Sequence, residues 1–430
     1  MGLFDFLRRF FFGTPAPPAD GKAPPRSRHE RRRARHRPRP RLDPLRYDLR
    51  HPVPDPAPPE SAEKPYRFAQ RGGRGRWLDL SKDGDDAQLG ELALPRFRTP
   101  EELAAWLELS PGRLAWLTHR YKPGRRPDDA RTAHYHFHWI RKRRGGFRLI
   151  EAPKRTLRAV QRRILEEIVA RIPPHQAAHG FVPGRSIVTN ASPHAGRRVV
   201  VKLDLENFYA NVRFDRVVAI FRRVGYCREA AIWLGRLTTS ALPGNISFPG
   251  SDPYALEAYQ GRHLPQGGPT SPALANLSAY SLDVRLSGLA RKFGASYTRY
   301  ADDLTFSGDE RFLKSLAVFL PLASQIVTRE RFRLNKDKRR VLRNNQRQTV
   351  TGVVVNAKPN VGRADFDRLK AILTNCVRHG PASQNRGGHP DFASHLRGRI
   401  AHVQQLHPER GAKLLALYGR IAWGEVEGSG

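Results

Sequence analysis

The chain has 430 residues, enough for two or three domains and a sizeable core. Its 76 Lys and Arg against 40 Asp and Glu leave a net charge of +36, which calls for an anionic partner, and nucleic acid is the default because each neutralised phosphate releases counterions. No apolar run approaches the roughly 20 residues that span a bilayer, so no membrane partner is expected, and two distant cysteines, Cys227 and Cys376, offer neither a disulfide framework nor a CxxC metal spacing.

Met1 to Phe12 is apolar with Arg8 and Arg9 inside it. It lacks the basic start and small-residue cleavage site of a secretory leader and reads as a short docking helix. A reduced, cytoplasmic location is expected. Residues 13–64 are rich in Pro, and Lys22 to Arg41 holds ten cations against one acid, Glu30. Such a stretch cannot build a core and is expected to be a disordered basic arm, with RNA contact and a solvated tail as equal readings. Thr99-Pro100-Glu101-Glu102 reads as an N-cap, a first-turn Pro and two acids suited to the helix dipole. Leu103, Trp106 and Leu107, then Leu114, Trp116 and Leu117, give two apolar faces around Ser110-Pro111-Gly112. That is a helix-turn-helix pattern expected to pack rather than to read DNA.

The pattern changes near residue 133. His134 to Ile140 alternates as a strand does, which puts His134, His136 and His138 on one face. No Cys or carboxylate partner accompanies them, so zinc is not expected. Arg141 to Arg144, Gly145-Gly146 and Phe147 to Ile150 read as a β-hairpin with a cationic tip. Thr156 to Ile172 has the apolar spacing of an amphipathic helix. Strand and helix signals alternate to about residue 360, and Phe366 to Trp423 is mostly helical.

Three carboxylates carry the chemistry. Val199-Val200-Val201-Lys202-Leu203-Asp204 is a buried strand ending in an acid. Tyr297 to Phe306 contains two short strands around Asp302-Asp303, so a tight hairpin would put those acids at its tip. Adjacent acids in apolar, aromatic surroundings are costly without cations. If Asp204 joins them, divalent metal ions are the natural bridge. Two magnesium ions so held would activate an attacking hydroxyl and bind a triphosphate. Between the two sites stands Leu264-Pro265-Gln266-Gly267-Gly268-Pro269-Thr270-Ser271-Pro272, whose glycines let backbone approach a base pair, with a helix from about Ala273.

In this order the segments resemble the bacterial reverse transcriptases, and among them the retron reverse transcriptases, from about residue 95 to the end. Gly145 to Arg148 through Ala152-Pro153-Lys154, His179 to Ile187, Asn190-Ala191 with His194, the Asp204 strand, the Gln266 loop, Tyr300 to Asp303, Val350-Thr351-Gly352 with Pro359-Asn360-Val361, and Leu396 to Ile400 carry it. The Asn190/His194 and Val350-Thr351-Gly352 elements separate retron enzymes from group II intron and viral relatives.

The resemblance implies an α+β right-hand polymerase of fingers, palm and thumb. Four regions follow: an extension over 1–64, a helical region over 65–130, fingers and palm over 131–355, and a thumb and RNA-recognition region over 356–430. It implies that Asp204, Asp302 and Asp303 bind two Mg2+. Arg148 would meet the incoming triphosphate, while Gln266 and Gly267 line the nascent pair. Tyr209 would exclude a 2′-hydroxyl, and Lys338 is a candidate to protonate pyrophosphate. Asn190, His194, Val350, Thr351 and Gly352 would recognise RNA. The implied product is branched, RNA-linked single-stranded DNA (msDNA) copied from a cognate structured non-coding RNA and primed from a guanosine 2′-hydroxyl. The implied partners are dNTPs, a host RNase H that trims the template, and an effector protein in anti-phage defence. Other reverse transcriptases, intron-encoded or diversity-generating, and a catalytically silent RNA-binding scaffold are the alternatives. Retention of all three acids disfavours the scaffold.

Overall fold

The computed structural model describes residues 70–71, 77–118, 133–142, 145–250 and 256–423. The expected extension over 1–64, with its short docking helix and the basic arm over 13–64, lies outside them. A short strand pair, β1 (Gln70–Arg71) and β2 (Trp77–Leu78), precedes three helices, α1 (Asp86–Glu91), α2 (Pro100–Trp106) and α3 (Pro111–Thr118). Thr99 and Glu102 form a reciprocal capping box at the start of α2, as the sequence predicts. Leu103, Leu114, Trp116 and Leu117 are buried in the main core. The helix pair is therefore a packing module.

Next comes the hairpin of β3 (Tyr135–Arg141) and β4 (Phe147–Pro153), in register from Tyr135 opposite Pro153 to Arg141 opposite Phe147. Arg143 and Arg144 of its expected cationic tip lie outside the described residues. Among the described residues no group of three His, Cys, Asp or Glu is spaced to hold a metal ion, and His134 Nε2 contacts the Trp116 carbonyl at 2.8 Å. Helix α4 (Arg155–Glu167) stops short of the expected Ile172, and a 3-10 turn covers Val169–Arg171. β-Branched Ile168 and Val169 are both pulled into the core, and Pro173-Pro174 bars helix beyond.

After the short helix α5 (Ile187–Ala191) comes β5 (Val199–Asp204), and after it α6 (Phe214–Arg223) and α7 (Arg228–Thr238). Helices α8 (Ser271–Ser278) and α9 (Tyr280–Lys292) lead into β6 (Ala295–Tyr300) and β7 (Asp303–Gly308). Helix α10 (Glu310–Arg329) and β8 (Arg340–Arg343) follow. The four strands form one antiparallel sheet in the order β6-β7-β5-β8. Strand β5 is apolar over Val199 to Val201 because both faces are covered there. Val199, Val201 and Leu203 enter the main core, while Val200 enters a second cluster with Ala191, Val350, Val353, Val355 and Leu406. Strand alternation puts Asp204 on the Val200 side.

The hairpin of β9 (Thr349–Val350) and β10 (Val353–Val354) closes that second cluster. Helices α11 (Arg363–His379), α12 (Phe392–Leu406) and α13 (Pro408–Gly419) then build their own core around Leu369, Leu373, Leu396, Ile400 and Leu414. No described helix is long and apolar enough to cross a membrane.

Candidate active site

Strands β6 and β7 close on the pair Tyr300 and Asp303, leaving Ala301-Asp302 as a two-residue hairpin turn. Ala301 has φ +54, a left-handed conformation that glycine usually fills in such turns. A strained backbone at a tip survives only when its surroundings hold it. Here they do. Arg299 Nη1 donates to the Ala301 carbonyl at 3.1 Å, and Leu205 N donates to the Asp302 carbonyl at 2.9 Å. Asp303 stands directly opposite Asp204 across the β5–β7 pairing. The three predicted acids are thus brought to one end of the sheet.

Their electrostatics are those of a crowded anionic site. Burial first, then Asp303 and Asp204, push Asp302 up to about 6. Burial also raises Asp303, with Lys202 and Lys338 opposing and Asp204 reinforcing. Lys338 Nζ lies 2.7 Å from Asp204 Oδ1. Asn335 sets that contact, since its backbone N–H donates to the Asp204 carbonyl at 2.8 Å and its side chain caps the turn that carries Lys338. The donors are hard oxygens and suit a divalent cation. The acids are not yet spaced as a three-ligand group.

The β3–β4 hairpin faces this charge. Partial burial, then Arg148 and Lys338, hold Lys142 below its ordinary value, while Asp204 and Glu206 oppose that shift. Arg148 is exposed. Tyr209 is pushed up to about 12 by burial and then by Asp302, with Arg148 and Arg299 opposing. The Gln266 carbonyl accepts the Glu151 N–H at 2.9 Å, which straps the loop to β4. Gly267 has φ +136, and a Cβ there would stand 3.0 Å from the Glu151 carbonyl oxygen. Loop and hairpin meet only because residue 267 is glycine.

Several site-shaping residues meet partners far away in sequence, which no local pattern announces. Arg299 and Asp283 are wholly buried and paired through Nε–Oδ1 at 2.8 Å and Nη2–Oδ2 at 2.6 Å. Arg299 Nη1 also reaches Asn276 Oδ1 at 2.9 Å, and Asn276 Nδ2 donates to the Gly180 carbonyl at 2.8 Å. Buried Glu151 and His263 pair at 2.8 Å behind the Gln266 loop. A Cβ on Gly180 would stand 2.8 Å from the Ala301 N. Gly180→Ala is accordingly expected to push the acid-bearing turn and cut synthesis by about tenfold or more with little change in melting, as a misplacement of about 1 Å does. Wild-type rates in a primer-extension assay would remove Gly180 from the site.

The expected RNA-contacting residues fall differently. Asn190, His194 and Val350 are wholly buried within the protein. Val350 fills the second core because it faces inward from β9. Asn190 and His194 form internal hydrogen bonds. Only Thr351 and Gly352, in the β9–β10 turn at φ +46 and +85, reach the surface.

Comparison with known proteins agrees with this geometry. The profile of the reverse transcriptase (RNA-dependent DNA polymerase) family matches residues 140–355. The chain is 42% identical over 337 residues to the retron Mx65 reverse transcriptase of Myxococcus xanthus, covering 77% of this chain and 73% of that protein. It is 38% identical over 340 residues to the retron Mx162 enzyme of the same organism, covering 75% and 67%. The retron Ec86 reverse transcriptase of Escherichia coli is 28% identical over 64% of this chain and 76% of its own. With its acids gathered at one sheet end beneath a cationic hairpin, this chain belongs to the bacterial retron reverse transcriptases and is an RNA-directed DNA polymerase.

Proposed function

We propose that the chain copies a cognate structured non-coding RNA into branched msDNA, starting from a guanosine 2′-hydroxyl, and that this product serves anti-phage defence with a partner effector. The observation that carries the catalytic part is the pairing of Asp204 with Asp303, with Asp302 on the adjoining turn. In this reading the β3–β4 hairpin belongs to the fingers, the four-stranded sheet is the palm, and α11 to α13 form the thumb. Asp204, Asp302 and Asp303 would hold two Mg2+, which would supply a lowered pKa for the attacking hydroxyl and charge neutralisation for the leaving pyrophosphate. Arg148 clamps the triphosphate with its planar fork. Gln266 and Gly267 line the nascent base pair, close to β4 because Glu151 holds the loop. Lys338, once released from Asp204, would give a proton to pyrophosphate. Thr351 and Gly352 offer an exposed turn to the structured RNA. A host RNase H removes the copied template.

The test is reconstitution. Purified protein with the structured transcript encoded beside its gene, Mg2+ and dNTPs is expected to yield DNA that stays attached to RNA until a 2′,5′-debranching enzyme is added. Unbranched product would sink the priming assignment while leaving polymerisation intact. Tyr209→Ala is expected to raise ribonucleotide use relative to deoxynucleotides by roughly tenfold or more, the scale a single steric contact commands. An unchanged ratio would move the sugar gate elsewhere. Deleting residues 13–64 is expected to weaken RNA binding and flatten its salt dependence, since the arm's cations displace counterions.

A further inference from the structure

His194 lies against the back of the catalytic hairpin. Its ring is wholly buried. Nε2 is 2.7 Å from Thr298 Oγ1 and Nδ1 is 2.7 Å from Ser307 Oγ. Thr298 is on β6, four residues before Asp302, and Ser307 is on β7, four residues after Asp303. One side chain therefore ties both strands that carry the acid turn.

The neighbours fix the direction of each proton. The Thr298 hydroxyl donates to the Asn190 carbonyl at 3.3 Å, so it accepts from the ring's Nε2–H. Nδ1 is then bare and accepts the Ser307 hydroxyl proton. A single neutral tautomer satisfies the chain. Burial, with His179 and Arg197 adding to it, holds His194 at about 3, so the ring stays neutral across the working range. The chain runs on past the ring. Asn190 Nδ2 meets Thr351 Oγ1 at 3.4 Å, and Thr351 sits at φ +46, an unusual conformation for a β-branched residue. Hydrogen bonds thus run from the exposed Thr351-Gly352 turn through Asn190 and His194 to both catalytic strands.

We infer that His194 is a positioning residue for DNA synthesis: it locks β6 to β7 and so aims Asp302 and Asp303, and with Asn190 it couples that hairpin to the β9–β10 turn. It touches neither substrate nor RNA. A buried, fully paired imidazole makes a rigid strut, because leaving either ring nitrogen or either hydroxyl unpaired costs the desolvation of that group. Sheet pairing alone leaves the hairpin free to twist; the strut removes that freedom.

The test uses full-length protein extending oligo(dT) on poly(rA), which needs no cognate RNA. His194→Gln, Ser307→Ala and Thr298→Val are each expected to lower kcat by roughly 10- to 100-fold, the scale of small misalignment at a reacting centre. The KM for dTTP and the Kd for the cognate transcript are expected to stay within about twofold, since ground-state binding is untouched. Thr298→Ser keeps the hydroxyl and is expected to restore kcat. The His194→Gln/Ser307→Ala pair is expected to be no worse than His194→Gln alone, because both cut one chain. Weakened RNA binding with normal kcat in His194→Gln would overturn the inference and return His194 to RNA recognition. Should His194→Gln fail to fold, the two hydroxyl deletions decide, and normal kcat in both overturns it equally.

Discussion

Asp302→Asn is expected to abolish DNA synthesis while leaving RNA binding intact. The substitution keeps shape and size and removes one charge. A cation at the acid end of β5 and β7 contributes several kcal/mol to a phosphoryl-transfer transition state. At 1.36 kcal/mol per decade, losing one ligand amounts to about 1,000-fold or more in rate. RNA is gathered by the rest of a chain carrying +36, so its Kd has no reason to move. The measurements are primer extension and filter binding on the same preparation, and full activity in the variant removes Asp302 from the proposed metal site.

The same substitution has an opposite effect on stability. In the folded protein burial and two neighbouring acids raise Asp302 from 3.8 to about 6. Between those values the folded state holds more protons than the unfolded state. Stability of the metal-free protein therefore falls as pH rises from about 4 to about 6, and stays lower above that window. Asp302→Asn carries no such charge. Without divalent ions at pH 7.5 it is expected to melt above the wild type, and the two are expected to converge near pH 4. If the three acids bind the ion as proposed, added Mg2+ should reverse the order at pH 7.5, because only the wild type would keep all three ligands. Equal melting at pH 7.5 without metal would show that the acids do not strain the fold.

How much of this was readable in advance divides along sequence distance. Strand β5 and the β6–β7 turn announce themselves, because a β-branched run and an acid pair between short apolar strands are local signals. The β3–β4 hairpin and the α2 capping box are equally local. Residues paired across the fold have no such trace. Asp283 and Arg299 are 16 positions apart, Glu151 and His263 are 112 apart, and His194 meets hydroxyls 104 and 113 positions away. An Arg inside the aromatic strand Tyr297 to Tyr300 is the one available hint, since a cation there needs a buried partner. Motif membership also leaves orientation open. Asn190, His194 and Val350 stand in segments expected to read RNA, yet only their turn partners Thr351 and Gly352 reach solvent. A motif marks what the fold requires without saying which side faces out.

Breaking the Asp283–Arg299 pair is expected to cause the largest loss of stability. Asp283→Ala strands a guanidinium with no exposure, and the Tyr297 hydroxyl, which donates to Asp283 Oδ1 at 2.8 Å, loses its acceptor as well. Removing one partner of a buried pair costs about 3–5 kcal/mol, a large share of the roughly 5–15 kcal/mol that holds a typical domain together. The variant is expected to melt many degrees lower and to lose synthesis with its fold. Replacing both partners, Asp283→Leu with Arg299→Met, separates the two contributions. Apolar replacement of a whole buried pair is often neutral, so melting is expected to recover most of the loss. Synthesis is not expected to recover with it. Arg299 Nη1 is also the donor that holds the Ala301 carbonyl and reaches Asn276, and no Met can replace it there. The double variant should therefore be folded, bind RNA and extend primers at least about tenfold more slowly, the cost of a loosened catalytic turn. A stable double variant with full activity would assign the pair to folding alone; a stable, slow one places Arg299 in the scaffold that shapes the turn at Asp302.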